Sequence, residues 1–207
     1  MIRLGISILL FNGLTIQSLQ AQEPCDPPLV ASITASGPVC TGESVTLTFN
    51  LPEDDDDDES FDVTYSIGGN TFVLTSIFNG HTVQHTVTAS TTATLLLVVD
   101  NDDDPDDECF TVFNQTIPIT VSDPVLNIVN QNNPDCDQNN GSITASTSNG
   151  ITPYQYSLNG GPPQPSGIFT GLGAGNYTVE VQDAIGCTDQ QSVTLTTPQP
   201  PTVSISN

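Results

Sequence analysis

Ser44-Val45-Thr46-Leu47-Thr48-Phe49 sets polar and apolar side chains in strict alternation. A period of two is the mark of a strand that buries one face. A matching stretch, Ser142-Ile143-Thr144-Ala145, follows about a hundred residues later, and what surrounds the two stretches also matches. Upstream, a proline-led segment enters an alternating strand: Pro27-Pro28-Leu29-Val30 into Ser32-Ile33, and Asp123-Pro124-Val125-Leu126 into Asn127-Ile128. A cysteine comes next, Cys40 or Cys136. Downstream lie Tyr65-Ser66-Ile67-Gly68-Gly69 and Tyr156-Ser157-Leu158-Asn159-Gly160-Gly161, each a strand running into a glycine turn. A late strand then ends in aspartate, at Asp100 or Asp183, and a second cysteine, Cys109 or Cys187, precedes a final strand.

One unit is therefore written twice, over residues 23–122 and 123–199, the first copy lengthened by acidic insertions. Residues 200–207 open a third copy with Pro200-Pro201-Thr202-Val203-Ser204-Ile205, so the chain reads as the start of a longer array or as a truncated product. Each unit offers about seven short strands with turns every 8 to 12 residues or so, the pattern of an antiparallel β-sandwich. The expected fold class is all-β, with tandem immunoglobulin-like antiparallel β-sandwich domains. The composition agrees: Thr, Ser, Val and Ile dominate, Trp is absent, and Gly and Pro number 16 each, which suits strands and turns rather than helices.

Residues 1–22 carry one positive charge at Arg3, an apolar run over 4–14 and a polar stretch with a small residue, Ala21, at a plausible cleavage point. The run is too short to span a bilayer and reads as a signal peptide. The expected location is secreted, extracellular or at the cell surface. Arg3 is the only Lys or Arg among 207 residues, against 24 Asp and Glu. Removal of the signal peptide takes Arg3 with it, and a mature chain without Lys or Arg cannot displace counterions from a nucleic acid. Anionic membrane surfaces repel it. Nucleic-acid binding and membrane insertion are both expected to be absent.

Five cysteines in an exported chain favour disulfides. Repeat equivalence pairs Cys40 with Cys109 and Cys136 with Cys187, leaving Cys25 over. Strand counting pulls the other way. It puts Cys40 and Cys109 at opposite poles, about 20 Å apart for an ordinary strand, whereas a disulfide needs Cα atoms about 5.5 Å apart. The repeated pattern makes Cys40–Cys109 and Cys136–Cys187 the expected pairs.

No catalytic constellation is present, and the chain is expected not to be an enzyme. His81 and His85 are the only histidines, and they sit on an alternating stretch. Four rises of a strand separate them by about 13 Å, so one metal ion cannot bridge them. His85 shares its face with Val83 and Val87 and reads as a packing residue. Tyr154, Tyr156 and Tyr177 could form a platform for a sugar, but aromatic residues on alternating strands more often belong to the core. Fifteen of the 24 acidic residues fall in 53–62 and 100–108, which must be loops because adjacent carboxylates repel. Asp100, Asp102 and Asp104 copy the opening of an EF-hand loop, but Pro105 and Thr111 stand where that loop needs Gly and Glu. The two loops are expected to meet at one pole. There Asp54, Asp56, Asp58, Asp62, Asp100, Asp102, Asp104 and Asp106 are the candidate ligands for Ca²⁺, with no other cofactor expected. The plainer reading is a solvated acidic bristle.

Residues 134–198 resemble the short repeat of SprB, a gliding adhesin of Bacteroidota. The resemblance rests on Cys136, Asn140-Gly141-Ser142-Ile143, Pro153-Tyr154-Gln155-Tyr156-Ser157, Leu172-Gly173-Ala174-Gly175-Asn176-Tyr177-Thr178-Val179 and Asp183-Ala184-Ile185-Gly186-Cys187. Residues 29–121 resemble, less specifically, the immunoglobulin/PKD-like domains of the same secreted proteins. The resemblance implies β-sandwich modules, export and surface display for adhesion or gliding toward an extracellular surface, glycan or protein ligand. The competing expectation is a non-catalytic glycan-binding or spacer region of a secreted multidomain hydrolase.

Overall fold

The structure, a computed structural model, describes residues 23–25, 28–52, 60–101 and 109–198. The expected signal peptide, the start of the third copy and most of the two acidic segments lie outside these residues. Among the described residues there is no helix. The first seven strands are β1 (Glu23–Pro24), β2 (Ser32–Ala35), β3 (Val39–Cys40), β4 (Ser44–Asn50), β5 (Phe61–Ile67), β6 (Asn70–Ile77) and β7 (Thr82–Thr86). The next four are β8 (Thr91–Asp100), β9 (Cys109–Ile119), β10 (Val121–Ser122) and β11 (Val125–Asn132). The last five are β12 (Gly141–Ser148), β13 (Gln155–Leu158), β14 (Ile168–Leu172), β15 (Gly175–Gln182) and β16 (Thr188–Leu195). The all-β class expected from alternation holds.

Contacts divide the chain into two compact units that do not follow sequence order. Among the described residues, unit 1 takes those up to Ser36 with Val45–His85 and Thr91–Ile119; unit 2 takes Gly37–Ser44, Thr86–Ser90 and those from Thr120 on. In unit 1 a five-stranded sheet, β1-β9-β8-β5-β6, is accompanied by a three-stranded one, β2-β4-β7. Residues 44–49 behave as their alternation requires. Val45, Leu47 and Phe49 of β4 are fully buried, while Thr46 and Thr48 between them are only half-buried. From the other sheet, Phe61, Val63, Tyr65 and Ile67 of β5 are buried as well, and the Phe49 and Tyr65 rings meet edge to face with centroids 5.0 Å apart. Each such side chain contributes about 1.5–3 kcal/mol by leaving water.

Unit 2 is built from two three-stranded sheets, β11-β12-β14 and β13-β15-β16. Leu126, Ile143, Tyr156, Phe169, Val179, Val181, Val193 and Leu195 form its core. The two glycine turns read from sequence are equivalent in backbone as well as in position. Gly68 and Gly69 take φ of 57° and 82°, and Asn159 and Gly160 take 52° and 68°. Two consecutive positive φ values are what a two-residue primed turn demands, and Gly or Asn supplies them with least strain.

The long strands pair antiparallel, as expected. Two short ladders depart from this: β1 runs parallel to β9, and β10 parallel to β3, over two residues each. Parallel neighbours need a long crossover between them, and both ladders join segments far apart in sequence: Glu23 faces Cys109, and Ser122 faces Cys40.

The cysteine pairing corrects the expectation. Cys25 bonds Cys109 with Cα atoms 4.9 Å apart, and Cys40 bonds Cys187 with Cα atoms 5.5 Å apart. Cys136 is an exposed free thiol. Neither Cys40–Cys109 nor Cys136–Cys187 forms. The reason lies in strand parity. Cys187 immediately precedes β16, whereas the Cys136 Sγ lies against the carbonyl of Pro198, beyond the strand's other end. Eight residues of strand put those ends about 26 Å apart. The first repeat follows the same rule: Cys109 is the first residue of β9, and Cys40 pairs with Ser122, past that strand's last residue. In each repeat the late cysteine stands at the head of the final strand and the early one beside its tail.

Candidate functional site

The acidic pole was the first candidate. Asp54, Asp56, Asp58, Asp102, Asp104 and Asp106 lie outside the described residues. The stems of both segments are described, and they meet: the Asn101 N–H donates to the Ser60 carbonyl at 3.0 Å. Asp62 lies in β5, where its Oδ1 accepts hydrogen bonds from the Ser76 N–H at 2.9 Å and the Asn101 side-chain amide at 2.8 Å. Asp100 faces Phe61 across the β5–β8 ladder, while Asp62 faces Val99. Successive strand residues point to opposite faces, so Asp62 and Asp100 project from opposite faces of the sheet. No group of three or more potential metal ligands exists among the described residues.

The two histidines behave as strand geometry dictates. His81 is exposed and lies just before β7. His85 is half-buried beside Tyr65 and Phe72, with its Nε2 2.7 Å from the Tyr65 hydroxyl. Burial lowers the His85 pKa and raises that of Tyr65, since each charged form would lose water. The tyrosines of the second repeat are engaged in packing. Tyr156 is in the core, and Tyr154 and Tyr177 pack against it while donating hydroxyl hydrogens to the carbonyls of Gly150 and Gly173. The exposed face of β13 and β15 carries a shallow recess of about 180 Å³ lined by Gln155, Ser157, Glu180, Gln182 and the Gly160–Gly161 turn. That is below the 300 Å³ or so at which small-molecule pockets begin.

The most highly organised polar group was missed from sequence. Asp183, which the sequence marks as the end of a strand and the start of the Asp183–Cys187 motif, is 5% exposed, and Ser122, the last residue of the first copy, is 1% exposed. The Ser122 hydroxyl donates to Asp183 Oδ2. The same oxygen accepts from the Ile151 N–H at 3.1 Å, and Oδ1 accepts from the N–H groups of Ile185 at 3.0 Å and Cys187 at 2.9 Å. Burial alone would push the carboxyl pKa up, but these four donors outweigh it and hold Asp183 below the ordinary carboxylate range. The carboxylate thus shapes the turn that presents Cys187 to Cys40. The available signal was Asp-x-x-Gly-Cys after a strand, since aspartate readily accepts from N–H groups two and four residues on.

No curated protein matches this chain. The family model of the SprB repeat matches residues 128–163, from Ile128 in β11 to Pro163 after the glycine turn, which lie within unit 2.

Proposed function

We propose that this chain is a non-catalytic, exported repeat segment of a bacterial cell-surface adhesin of the gliding or adhesion type. The SprB repeat match at residues 128–163 carries the reading. Two disulfides suit an oxidising compartment. A chain with 24 acidic residues and Arg3 as its only Lys or Arg favours contact with an extracellular glycan or protein over nucleic acid or anionic lipid. Adhesion by such a module is a surface affair, spread over exposed strand faces and loops rather than concentrated in a pocket. Antibodies raised against residues 123–198 should label intact cells, and removing the gene should reduce attachment to the natural surface. Labelling that appears only after lysis refutes export. Surface labelling with attachment unchanged by gene removal favours the spacer of a secreted hydrolase instead.

A further inference from the structure

We propose that Cys136 is a forward coupling site: its thiol forms a disulfide with the late cysteine of the SprB-like repeat that follows it in an array. The late cysteine of each repeat bonds backward, to a cysteine upstream of that repeat's first long strand. Cys109 reaches Cys25, ahead of β2, and Cys187 reaches Cys40, ahead of β11. The early cysteine of the first repeat is therefore committed to the repeat after it. Cys136 is the early cysteine of the second repeat and carries a free, exposed thiol.

Cys136, in a turn, lies beside its repeat's exit as Cys40, in β3, lies beside that of the first repeat. Cys40 sits beside the exit strand of its own repeat, in register with Ser122, with the Val39 N–H on the Thr120 carbonyl and the Thr41 N–H on the Ser122 carbonyl. Cys136 also lies beside the exit of its own repeat. Its Sγ is 3.7 Å from the Pro198 carbonyl, and the neighbouring Asn133 side chain accepts from the Thr196 N–H at 3.0 Å. An in-repeat partner is ruled out by the length of β16, which separates Cys136 from Cys187. The partner that fits is a cysteine on an Asp-x-x-Gly-Cys turn, as Cys187 is. Coupling is ordinary thiol–disulfide exchange. An oxidised dithiol carrier, or oxidised glutathione in vitro, is reduced to two thiols as Cys136 and the partner cysteine lose their hydrogens and join.

The test extends the full chain in register, placing a copy of residues 129–198 directly after Ile205, because Pro200 to Ile205 already repeats the entry into Ile128. After refolding in a glutathione redox buffer, non-reducing peptide mapping should link Cys136 to the appended copy of Cys187. The Cys25–Cys109 and Cys40–Cys187 bonds should persist, and the appended copy of Cys136 should be the one alkylatable thiol. A bond between the two appended cysteines, an alkylatable Cys136, or a covalent dimer through Cys136 overturns the proposal. A second measurement does not depend on the extension folding. In the original chain, Cys40→Ser should leave Cys136 and Cys187 both alkylatable, and a bond between them overturns the forward rule. Neither measurement involves adhesion or cells, so failure here is distinct from failure of the proposed function.

Discussion

Replacing Asp183 with alanine should be among the most damaging changes to unit 2. The carboxylate is 5% exposed and accepts from Ser122, Ile151, Ile185 and Cys187. In Asp183→Ala the Ile151 N–H keeps the Ser122 hydroxyl, 3.2 Å away. The Ile185 and Cys187 N–H groups lose their acceptor inside the turn. A stranded buried donor costs about 1–3 kcal/mol, and a hydrogen bond to a charged group contributes about 1.5–3 kcal/mol, so the expected loss is about 4 kcal/mol. Asp183→Asn keeps the oxygen facing Ile185 and Cys187 but turns an amide N–H toward the Ile151 N–H, for a loss of about 2 kcal/mol. Ser122→Ala removes one donor and should lose about 1 kcal/mol. The assay is urea unfolding of the oxidised full chain, followed by hydrogen exchange in peptides from residues 123–198. Acid provides an independent check. The folded pKa of Asp183 is depressed, so its stabilisation is complete above the ordinary aspartate value of about 3.9 and is lost as pH falls through the folded value. As pH falls below that ordinary value, the gap between the wild-type and Asp183→Ala stabilities should narrow. An Asp183→Ala protein within about 0.5 kcal/mol of wild type at neutral pH, or one no more damaged than Asp183→Asn, would refute the account of this turn.

His85 should titrate below the usual histidine value of about 6.5 when followed by NMR. Because its folded pKa is lowered, unit 1 should lose stability as pH drops from about 6.5 through that folded value, and His85→Phe should abolish this slope; an unchanged slope counts against it. Cys40→Ser releases a constraint spanning 147 residues, for an expected loss of about 5 kcal/mol by chain entropy, read as a fall in the urea midpoint of unit 2. Phe49→Ala should destabilise unit 1 by about 3–5 kcal/mol in the same experiment, since the ring is fully buried against Tyr65. Millimolar Ca²⁺ should raise the melting temperature of unit 1 more than Mg²⁺ does, because the stems of both acidic segments meet at one pole and Ca²⁺ accepts irregular oxygen shells. Equal effects from Ca²⁺, Mg²⁺ and NaCl at matched ionic strength would reduce this to screening.

What was legible in the sequence was whatever depends on neighbours along the chain. Val45, Leu47 and Phe49 announce their buried face by alternation, and Gly68-Gly69 and Asn159-Gly160 announce their turns through the φ values they tolerate. The convergence of the acidic stems also followed, from counting strands. The same count set Cys40 against Cys109, and the structure sides with it. Repeat equivalence misled because it identifies positions that play the same role, not positions that touch. Asp183 and Ser122 escaped for a related reason. They are 61 residues apart, and nothing local to either shows that the other will satisfy it. The two-residue ladders β1–β9 and β10–β3 are likewise products of closure elsewhere, too short to leave a periodic signal.

The overlapping order of the two disulfides sets how far this chain can be stretched. Without them, residues 25 and 187 are joined by 162 residues of backbone, about 550 Å when pulled taut. With them, the shortest covalent route runs from Cys25 along the chain to Cys40 and crosses the second bridge to Cys187. That route contains only 15 residues, about 50 Å of backbone. Tension applied at the two ends therefore passes through this short leader and the bridge. The force meets directly the pairings of the leader itself, β1 with β9, β2 with β4 and β3 with β10; the other ladders between residues 40 and 187 lie in a closed loop off its line.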